Sequence, residues 1–206
     1  ACCLVGSEMC IRDSYQLAAA QEESPELLTF ANKLIPMGDW FNYMFSGVAV
    51  GDASMVSTTQ LYNPRKQEWS QPLIDALELA HDLFPEIVPC GSILGPITEQ
   101  VAESTGLASN TKVIASCSHD TGAAVVGTPA ESGQKDWAYL SSGTWSLLGV
   151  ELDAPVITSK SRQYNFTNEV GLNNSIRLLK NISGLWVVQE CRRKWEGEGY
   201  SYDYST

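Results

Sequence analysis

The sequence predicts an α/β fold, and three observations support this class. Residues 113–115 form an apolar run typical of a buried strand, and the carboxylate of Asp120 follows shortly after it. A second strand begins at 139–140 and ends in the small-residue loop 141–146. Residues 71–84 place apolar side chains at helical spacing. Because open α/β sheets bind ligands at the carboxyl ends of their strands, Asp120 and the 141–146 loop are candidates for one functional site.

Proline, glycine and periodicity divide the amino-terminal half into elements. Helical spacing across 27–45 is interrupted by Pro36, which kinks or divides the helix, and Gly47 ends it. Its aromatic residues are expected in the core: Trp40, Phe41, Tyr43 and Phe45. Further along we predict an edge strand or loop at 54–62, the amphipathic helix at 71–84, and a helix at 98–105 that Gly106 ends.

The carboxyl-terminal half carries most of the predicted strands. The 113–115 strand is followed by a short helix at 122–126. Small, polar and charged residues at 128–136 replace the periodic patterns on both sides, so this segment is the predicted domain boundary. Beyond it, an apolar strand at 176–179 precedes a helix predicted over 182–195.

Asp120 has the chemistry of a proton acceptor. Transfer of a phosphoryl group to an alcohol needs positioning, charge stabilisation and a group that takes the hydroxyl proton, and one ionised carboxylate supplies the last. The alternative is that Asp120 only caps the following helix. His119 is either a hydrogen-bonding group beside a bound polyol or a structural histidine. A triad of Ser118, His119 and Asp120 is excluded, because neighbours in an extended segment point to opposite faces.

The 141–146 loop has the composition of a phosphate-binding turn. Gly143 lets the backbone approach a ligand closely, and Thr144 is the best single hydrogen-bond donor in the loop. An ordinary hairpin turn has the same composition. The position of the loop after the strand that leads to Asp120 favours the functional interpretation.

Three motifs resemble the FGGY carbohydrate kinases. They are Ser-His-Asp-Thr at 118–121, Tyr-Leu-Ser-Ser-Gly-Thr-Trp-Ser-Leu at 139–147, and Leu-Lys-Asn-Ile-Ser-Gly-Leu-Trp-Val-Val-Gln-Glu at 179–190. The likeness extends upstream through 57–61 and 94–98. It implies an actin-like ATPase (ribonuclease H-like) fold, with parts of two domains around a cleft that binds a ketose sugar and MgATP.

Within the family, Phe-Thr-Asn-Glu at 166–169 and Gly-Thr-Trp at 143–145 favour the branch that phosphorylates the 1-hydroxyl of L-rhamnulose. Two alternatives remain open. One is another sugar substrate of the family, such as L-fuculose. The other is a catalytically silent actin-like module that binds sugar or nucleotide without phosphoryl transfer.

The resemblance implies roles for the sugar-side residues. Asp120 matches the catalytic base, and His119 and Thr121 lie beside it at the sugar. Asn181 matches a sugar-contacting asparagine. Its place between an apolar strand and a helix agrees with this role, because an amide both donates to and accepts from hydroxyls. A turn-forming asparagine is the alternative from the residues alone.

The resemblance also implies roles on the nucleotide side. Thr144 matches the ATP-contacting threonine of the second phosphate loop, in which Gly143 permits close approach, and Gln189 matches a nucleotide-side glutamine. Without the resemblance, Gln189 would be a solvated residue on a helix face. No residue is assigned as a metal ligand, because the family's first phosphate loop, an Asp-x-Gly turn that positions Mg²⁺, has no counterpart here.

The resemblance further implies an internal fragment that is inactive alone. Residues 15–129 would be the carboxyl-terminal part of the sugar-binding domain, and residues 130–206 the amino-terminal part of the nucleotide-binding domain. The first residues, 1–14, resemble translated sequencing-adaptor sequence and are expected to be a non-native leader.

Composition and cysteine spacing exclude several other classes of protein. A formal net charge of −11 over 206 residues argues against nucleic-acid binding, which uses basic patches. The sequence contains no run of about eighteen apolar residues, so no membrane span is predicted. Outside the leader, Cys90, Cys117 and Cys191 are widely spaced and form no metal or disulfide pattern, so we expect reduced thiols in a cytoplasmic protein.

Overall fold

The structure is a computed structural model that describes residues 12–130 and 136–203. In these residues no helix is long and apolar enough to cross a membrane. Single turns of 3-10 helix lie at His81–Leu83 and Leu172–Asn174. The helices and strands are, in chain order, α1 (Asp13–Glu23), α2 (Pro25–Phe30), α3 (Met37–Ser46), β1 (Val50–Asp52), α4 (Ala53–Val56), β2 (Tyr62–Asn63), β3 (Glu68–Trp69), α5 (Gln71–Ala76), β4 (Glu86–Val88), β5 (Ser92–Pro96), α6 (Glu99–Thr105), β6 (Lys112–Ala115), α7 (Asp120–Val126), β7 (Tyr139–Ser142), β8 (Ser146–Leu152), α8 (Ser159–Gln163), β9 (Thr167–Val170), β10 (Ile176–Ile182) and α9 (Trp186–Gly197).

The described strands form one larger sheet and three pairs. Strands β1 and β4 run parallel, whereas β2 with β3 and β5 with β6 are antiparallel pairs. The larger sheet is antiparallel in the order β7-β8-β10-β9. Strand β10 is therefore central, and its Arg177 lies directly opposite Glu169 of β9 and Glu151 of β8.

The main core lies in the amino-terminal half. Its buried members come from α1, α4, α5, β3 and the segments around them: Leu17, Val56, Leu61, Trp69, Ile74, Leu79, Leu83 and Phe84. Burial of such side chains, at about 25 cal/mol per Å² of apolar surface, is the main source of stability for this half.

Apolar packing joins the part of the chain before the 128–136 segment to the part after it. Ala53 of α4 packs against Val170 and Ile176 of the larger sheet, and the Val170 amide donates to Ser57 Oγ at 2.8 Å. Toward the opposite edge of the sheet, Val125 of α7 packs with Tyr139 of β7 and Leu179 of β10. The helix that begins with Asp120 is thus fixed against the larger sheet.

Several predicted boundaries agree with the structure. Pro36 divides the 27–45 stretch into α2 and α3, and Gly47 ends α3 in the left-handed conformation, at φ 74°. Helix α6 begins after Thr98, whose side chain accepts from the Val101 amide at 3.4 Å, and ends at Gly106 with φ 73°.

The helix predicted over 71–84 is wrong beyond its first half. It ends at Ala76, because Glu78 adopts a positive φ of 53°, which an α-helix does not contain. The chain then continues irregularly to the 3-10 turn. Leu79 and Leu83 are nevertheless buried, so their spacing reflects contacts with the core rather than one continuous helix.

The edge strand or loop predicted at 54–62 begins with a helix instead. The side chain of Asp52 accepts from the Ser54 amide at 3.1 Å and caps α4. The strand at 113–115, which was expected to be buried, is buried on one face only: Val113 and Ala115 are buried, whereas Ile114 is 49% exposed.

The aromatic residues of α3 are exposed, contrary to the prediction that they lie in the core: Trp40, Phe41, Tyr43 and Phe45. The side of α3 that faces inward carries Asp39, which is fully buried. Hydrophobic content alone therefore indicated the wrong face of this helix.

Two predicted segments are described only in part. Residues 1–11 of the expected leader and residues 131–135 of the expected boundary lie outside the described residues. Within the described part, Arg12 Nη1 donates to the Thr58 carbonyl at 3.0 Å, and the Ser14 amide donates to the Thr59 carbonyl at 3.2 Å.

The packing of α7 gives the first testable prediction. A Cβ added at Gly122 would lie 2.5 Å from Cys117 Sγ and 3.2 Å from Arg177 Nη2. Because overpacking a tight contact costs about 1–3 kcal/mol, we expect Gly122→Ala to lower the free energy of unfolding by that amount, measured by urea denaturation.

Gly127→Ala in the same segment is the matched control. Its Cβ would make only ordinary contacts at 3.6 Å, and its φ of −75° suits any residue. We expect it to leave stability unchanged or raise it by up to about 1 kcal/mol. Equal losses in both variants would contradict the packing of α7 described above.

Candidate active site

Two buried carboxylates hold the segment that precedes Asp120. Ser118 Oγ donates to Asp39 Oδ1 at 2.9 Å, and the Ser118 amide donates to Asp52 Oδ1 at 3.2 Å. The Ser54 hydroxyl also donates to Asp52 Oδ1, and it accepts from the His119 amide at 3.2 Å. Side chains from α3, β1 and α4 therefore fix the backbone at 118–119.

The two carboxylates are linked to each other. The Asp52 amide donates to Asp39 Oδ2 at 2.9 Å, and both side chains are fully buried. Burial raises the pKa of Asp39, while its hydrogen bonds from the Asp52 amide and Ser118 act in the opposite direction. Neither residue was predicted from the sequence, although an acidic residue among the aromatic ones of α3 is a signal for a role like that of Asp39.

Asp120 is the first residue of α7, and its side chain is 95% exposed. Its Oδ1 accepts from the Thr121 amide at 2.6 Å and from Thr121 Oγ1 at 3.4 Å. The capping position of α7 belongs to His119, so the interpretation of Asp120 as a helix cap is wrong. The carboxylate is oriented by Thr121 and remains reachable by a ligand.

His119 lies between Asp120 and a buried ion pair. Its Nε2 is 3.5 Å from Asp120 Oδ1, and its Nδ1 is 3.1 Å from Arg177 Nη2 and 3.4 Å from Glu169 Oε2. Burial lowers the pKa of His119, and the charge of Arg177 adds to this, while Glu169 and Asp120 oppose it. The imidazole is therefore neutral at neutral pH.

The ion pair beside His119 comes from the larger sheet. Arg177 is fully buried, and its Nη2 donates to Glu169 Oε2 at 3.1 Å and to the Val170 carbonyl at 3.4 Å. Arg177 was not predicted from the sequence, and Glu169 was noted only as the last residue of the 166–169 motif. The available signal was a charged residue inside the apolar run 176–179, where only a paired charge is tolerated.

The loop between β7 and β8 is anchored on α9. Its carbonyls at Gly143 and Thr144 accept from the amides of Leu185 and Trp186, both at 2.9 Å. In a trans peptide the C=O and the following N–H point in opposite directions. The amides of Thr144 and Trp145 therefore point away from α9, which is an arrangement that suits an anion.

The structure brings the two predicted nucleotide-side residues together. Gln189 Nε2 donates to Thr144 Oγ1 at 3.3 Å, which leaves the hydroxyl hydrogen of Thr144 to donate elsewhere. Gly184 permits the close approach behind this pair: its φ is 54°, and a Cβ there would lie 2.5 Å from Ser146 Oγ. The donor set of hydroxyl, amide and backbone N–H groups fits phosphate oxygens.

Asn181 lies near the end of β10, opposite Leu147, and is half-buried. Strand β10 continues through Ile182, and α9 begins only at Trp186, four residues after the predicted start of the helix at residue 182.

None of the hydrogen bonds or ion pairs within the described residues joins Asp120 to Thr144. The described chain holds no group of three or more His, Cys, Asp or Glu side chains arranged for a metal ion.

Two of the widely spaced cysteines interact in the structure. Ser92 pairs with Ala115 at the end of the β5–β6 ladder, and Cys90 precedes this pair by two residues while Cys117 follows it by two. A hydrogen bond from Cys90 lowers the pKa of Cys117 to about 7, and the same bond together with burial raises the pKa of Cys90. Both thiols are free, as is Cys191.

Comparisons with known proteins agree with this architecture. Residues 13–127 match the N-terminal domain, and residues 138–203 the C-terminal domain, of the FGGY family of carbohydrate kinases. The chain is 42% identical over 183 residues to a rhamnulokinase of Enterococcus faecalis and 42% identical over 186 residues to one of Bacteroides thetaiotaomicron, which align with 89% and 90% of it. It superposes on a ligand-bound xylulose kinase of Lactobacillus acidophilus with a TM-score of 0.76 at 20% identity, over 89% of this chain and 36% of that one.

The fold is that of the actin-like sugar kinases, present as parts of two domains, as predicted. The chain belongs to the FGGY family of carbohydrate kinases. It spans about a third of the length of the curated relatives, 36% and 38% of the two named above.

The thiol pair gives a prediction about pH. Because Cys117 reacts as the thiolate and its pKa is about 7, its alkylation by iodoacetamide is expected to rise with pH around a midpoint near 7. Removal of the donor in Cys90→Ala should move that midpoint upward, toward the value of about 8.5 for an ordinary thiol.

Peptide mapping by mass spectrometry measures each cysteine separately. Cys191→Ser is the control and should leave the Cys117 midpoint where it is. A midpoint for Cys117 that does not respond to Cys90→Ala would show that the two thiols are not hydrogen-bonded.

Proposed function

We propose that this chain is part of an ATP-dependent sugar kinase that transfers the γ-phosphoryl group of ATP to the 1-hydroxyl of L-rhamnulose. The family is a kinase family, and the two rhamnulokinases that are 42% identical to most of this chain support the choice of sugar. The observation that carries the proposal is the exposed carboxylate of Asp120, held at the end of a rigidly anchored segment.

In this proposal Asp120 is the catalytic base. Its carboxylate accepts the proton of the sugar 1-hydroxyl as the bond from that oxygen to phosphorus forms. Thr121 donates to the carboxylate and keeps it aimed. His119, Thr121 and Asn181 hold the remaining hydroxyls of the sugar, since each offers a hydrogen-bonding group near the base or at the end of β10.

On the nucleotide side, Thr144, Gln189 and the backbone at Gly143 contact the phosphates of ATP. The support is the 3.3 Å contact between Gln189 and Thr144 and the outward orientation of the loop amides. Magnesium accompanies ATP as the counter-charge of its phosphates. Within residues 12–130 and 136–203 no acidic cluster is arranged to hold it, so no residue of this chain is assigned to the ion.

The proposed domain division follows the same logic. Residues 15–129 carry the sugar side with Asp120, and residues 130–206 carry the nucleotide side with Thr144 and Gln189. Closure of two such domains excludes water, which would otherwise accept the phosphoryl group. We further propose a cytoplasmic location, where ATP is available, and a non-native leader within residues 1–14, although the family match begins at residue 13 and Arg12 and Ser14 contact the 58–59 segment.

The role of Asp120 is tested in the full-length protein that contains this chain, by ADP release with MgATP and a panel of L-rhamnulose, L-fuculose, D-xylulose and glycerol. We expect a preference for L-rhamnulose and a loss in kcat of about 10²- to 10⁴-fold in Asp120→Asn, the usual share of general-base catalysis. Glu103→Gln, an exposed carboxylate on α6, is the control and should retain full activity.

A folded protein without sugar-dependent ADP release would refute the kinase proposal. A preference for L-fuculose would retain the kinase and change the sugar. Full activity of Asp120→Asn would remove Asp120 from the role of base.

The role of Thr144 is tested by Thr144→Val, which keeps the shape and removes the hydroxyl. A hydrogen bond to a charged phosphate contributes about 1.5–3 kcal/mol, so we expect kcat/KM for MgATP to fall about 10- to 100-fold. Thr144→Ser keeps the hydroxyl and should stay close to the unmodified protein, and the KM for the sugar should not change. A selective effect on the sugar KM would contradict a nucleotide-side position.

A further inference from the structure

The buried guanidinium of Arg177 affects not only the charge of His119 but also which ring nitrogen carries the hydrogen. Its Nη2 lies 3.1 Å from His119 Nδ1 with the geometry of a hydrogen bond. A guanidinium has only donors, and it stays protonated in proteins. In this contact Nδ1 must therefore be the acceptor, and an accepting Nδ1 carries no hydrogen.

The proton of the neutral imidazole then belongs to Nε2. That nitrogen is on the side of the ring that faces Asp120, 3.5 Å from its Oδ1. An Nε2–H group is attracted to the carboxylate, whereas the lone pair of the other tautomer would be repelled by it. The tautomer chosen by Arg177 thus presents a donor to the catalytic side.

We propose that Arg177 is a positioning residue that holds His119 as the neutral Nε2–H tautomer, so that His119 donates toward Asp120 and toward a sugar oxygen bound beside it. This inference rests on the proposed function for the role of the sugar. The tautomer itself is a property of the chain without ligand.

Glu169 is the competing influence on the same nitrogen. Its Oε2 lies 3.4 Å from His119 Nδ1, and a carboxylate alone would favour the Nδ1–H tautomer. Two observations oppose this. The Arg177 contact is shorter, and the same Oε2 already accepts from Arg177 Nη2 at 3.1 Å. Glu169 therefore orients the guanidinium, and the guanidinium sets the ring.

The charged groups around His119 come from four parts of the chain. Glu169 lies on β9, Arg177 on β10 and Asp120 on α7, while Arg12 approaches Glu169 Oε1 at 3.8 Å from before α1. The two cations and two anions nearly balance. Burial then keeps the imidazole neutral, which is the state in which the tautomer has meaning.

Long-range ¹H–¹⁵N correlation spectra of the 206-residue chain measure the tautomer directly. The chain has two histidines, so His81→Asn assigns the His119 signals. At neutral pH we expect His119 Nε2 to have the shift of a protonated nitrogen and Nδ1 that of an unprotonated one. A protonated Nδ1 in the unmodified chain would overturn the proposal.

Three variants separate the role of Arg177 from that of a structural ion pair. Arg177→Met should move His119 toward the Nδ1–H tautomer, because Glu169 remains as the acceptor. Arg177→Lys restores a donor and should retain the Nε2–H tautomer, and Arg162→Met, an exposed arginine on α8, is the matched control. Amide spectra report whether each variant folds. A folded Arg177→Met chain with an unchanged tautomer would overturn the proposal.

Glu169→Gln decides the question if Arg177→Met does not fold. It removes the competing carboxylate and leaves Arg177 in place, so the Nε2–H tautomer should persist, and its loss would assign control to Glu169. These spectra do not depend on activity. A full-length protein that phosphorylates no sugar would end the proposed function alone, whereas an active kinase with Nδ1–H would end this inference alone.

Discussion

The position of Asp120 depends on the hydrogen bonds of Ser118 to two buried carboxylates. Asp39 accepts the hydroxyl of Ser118, Asp52 accepts its amide, and the Asp52 amide binds Asp39 in turn. Buried polar groups are costly unless they are hydrogen-bonded. The network is therefore restrictive: displacement of 118–119 would remove the Ser118 donors from Asp39 Oδ1 and Asp52 Oδ1, so the segment has one favourable position.

The second anchor comes from the other half of the chain. Arg177 reaches across from β10 to His119, and Glu169 on β9 neutralises it. Removing one member of a buried pair typically costs about 3–5 kcal/mol, because the remaining charge is left uncompensated. The residues next to Asp120 are thus held from both sides, by the carboxylates of Asp39 and Asp52 and by the guanidinium of Arg177. Such a junction couples the geometry of His119 to the contact between the halves.

Local sequence signals predicted the parts of the site that are local in the chain. Asp120 at a strand-to-helix turn and Thr144 in a tight hairpin were singled out from composition and order, and the structure places Thr144 in contact with Gln189. Local signals mark Arg177 and Asp39 as unusual, as a charge inside an apolar run and an acid among aromatic residues, but they do not identify the partners. Those partners are 58 and 79 residues away in sequence, and no periodic pattern encodes such pairs.

Helix α3 explains why hydrophobic pattern failed where polar contacts decide the fold. A helix rich in aromatic residues is expected to turn them inward, since burial of the aromatic face contributes more to stability than burial of any other face. Here the inward face carries Asp39, and the aromatic residues Trp40 and Phe41 are exposed. The carboxylate of Asp39 accepts three hydrogen bonds on the inward face, from Asn42, the Asp52 amide and Ser118. Because each of these donors fits only one orientation of the helix, polar contacts specify which side of α3 faces inward, and the same contacts position the segment before Asp120.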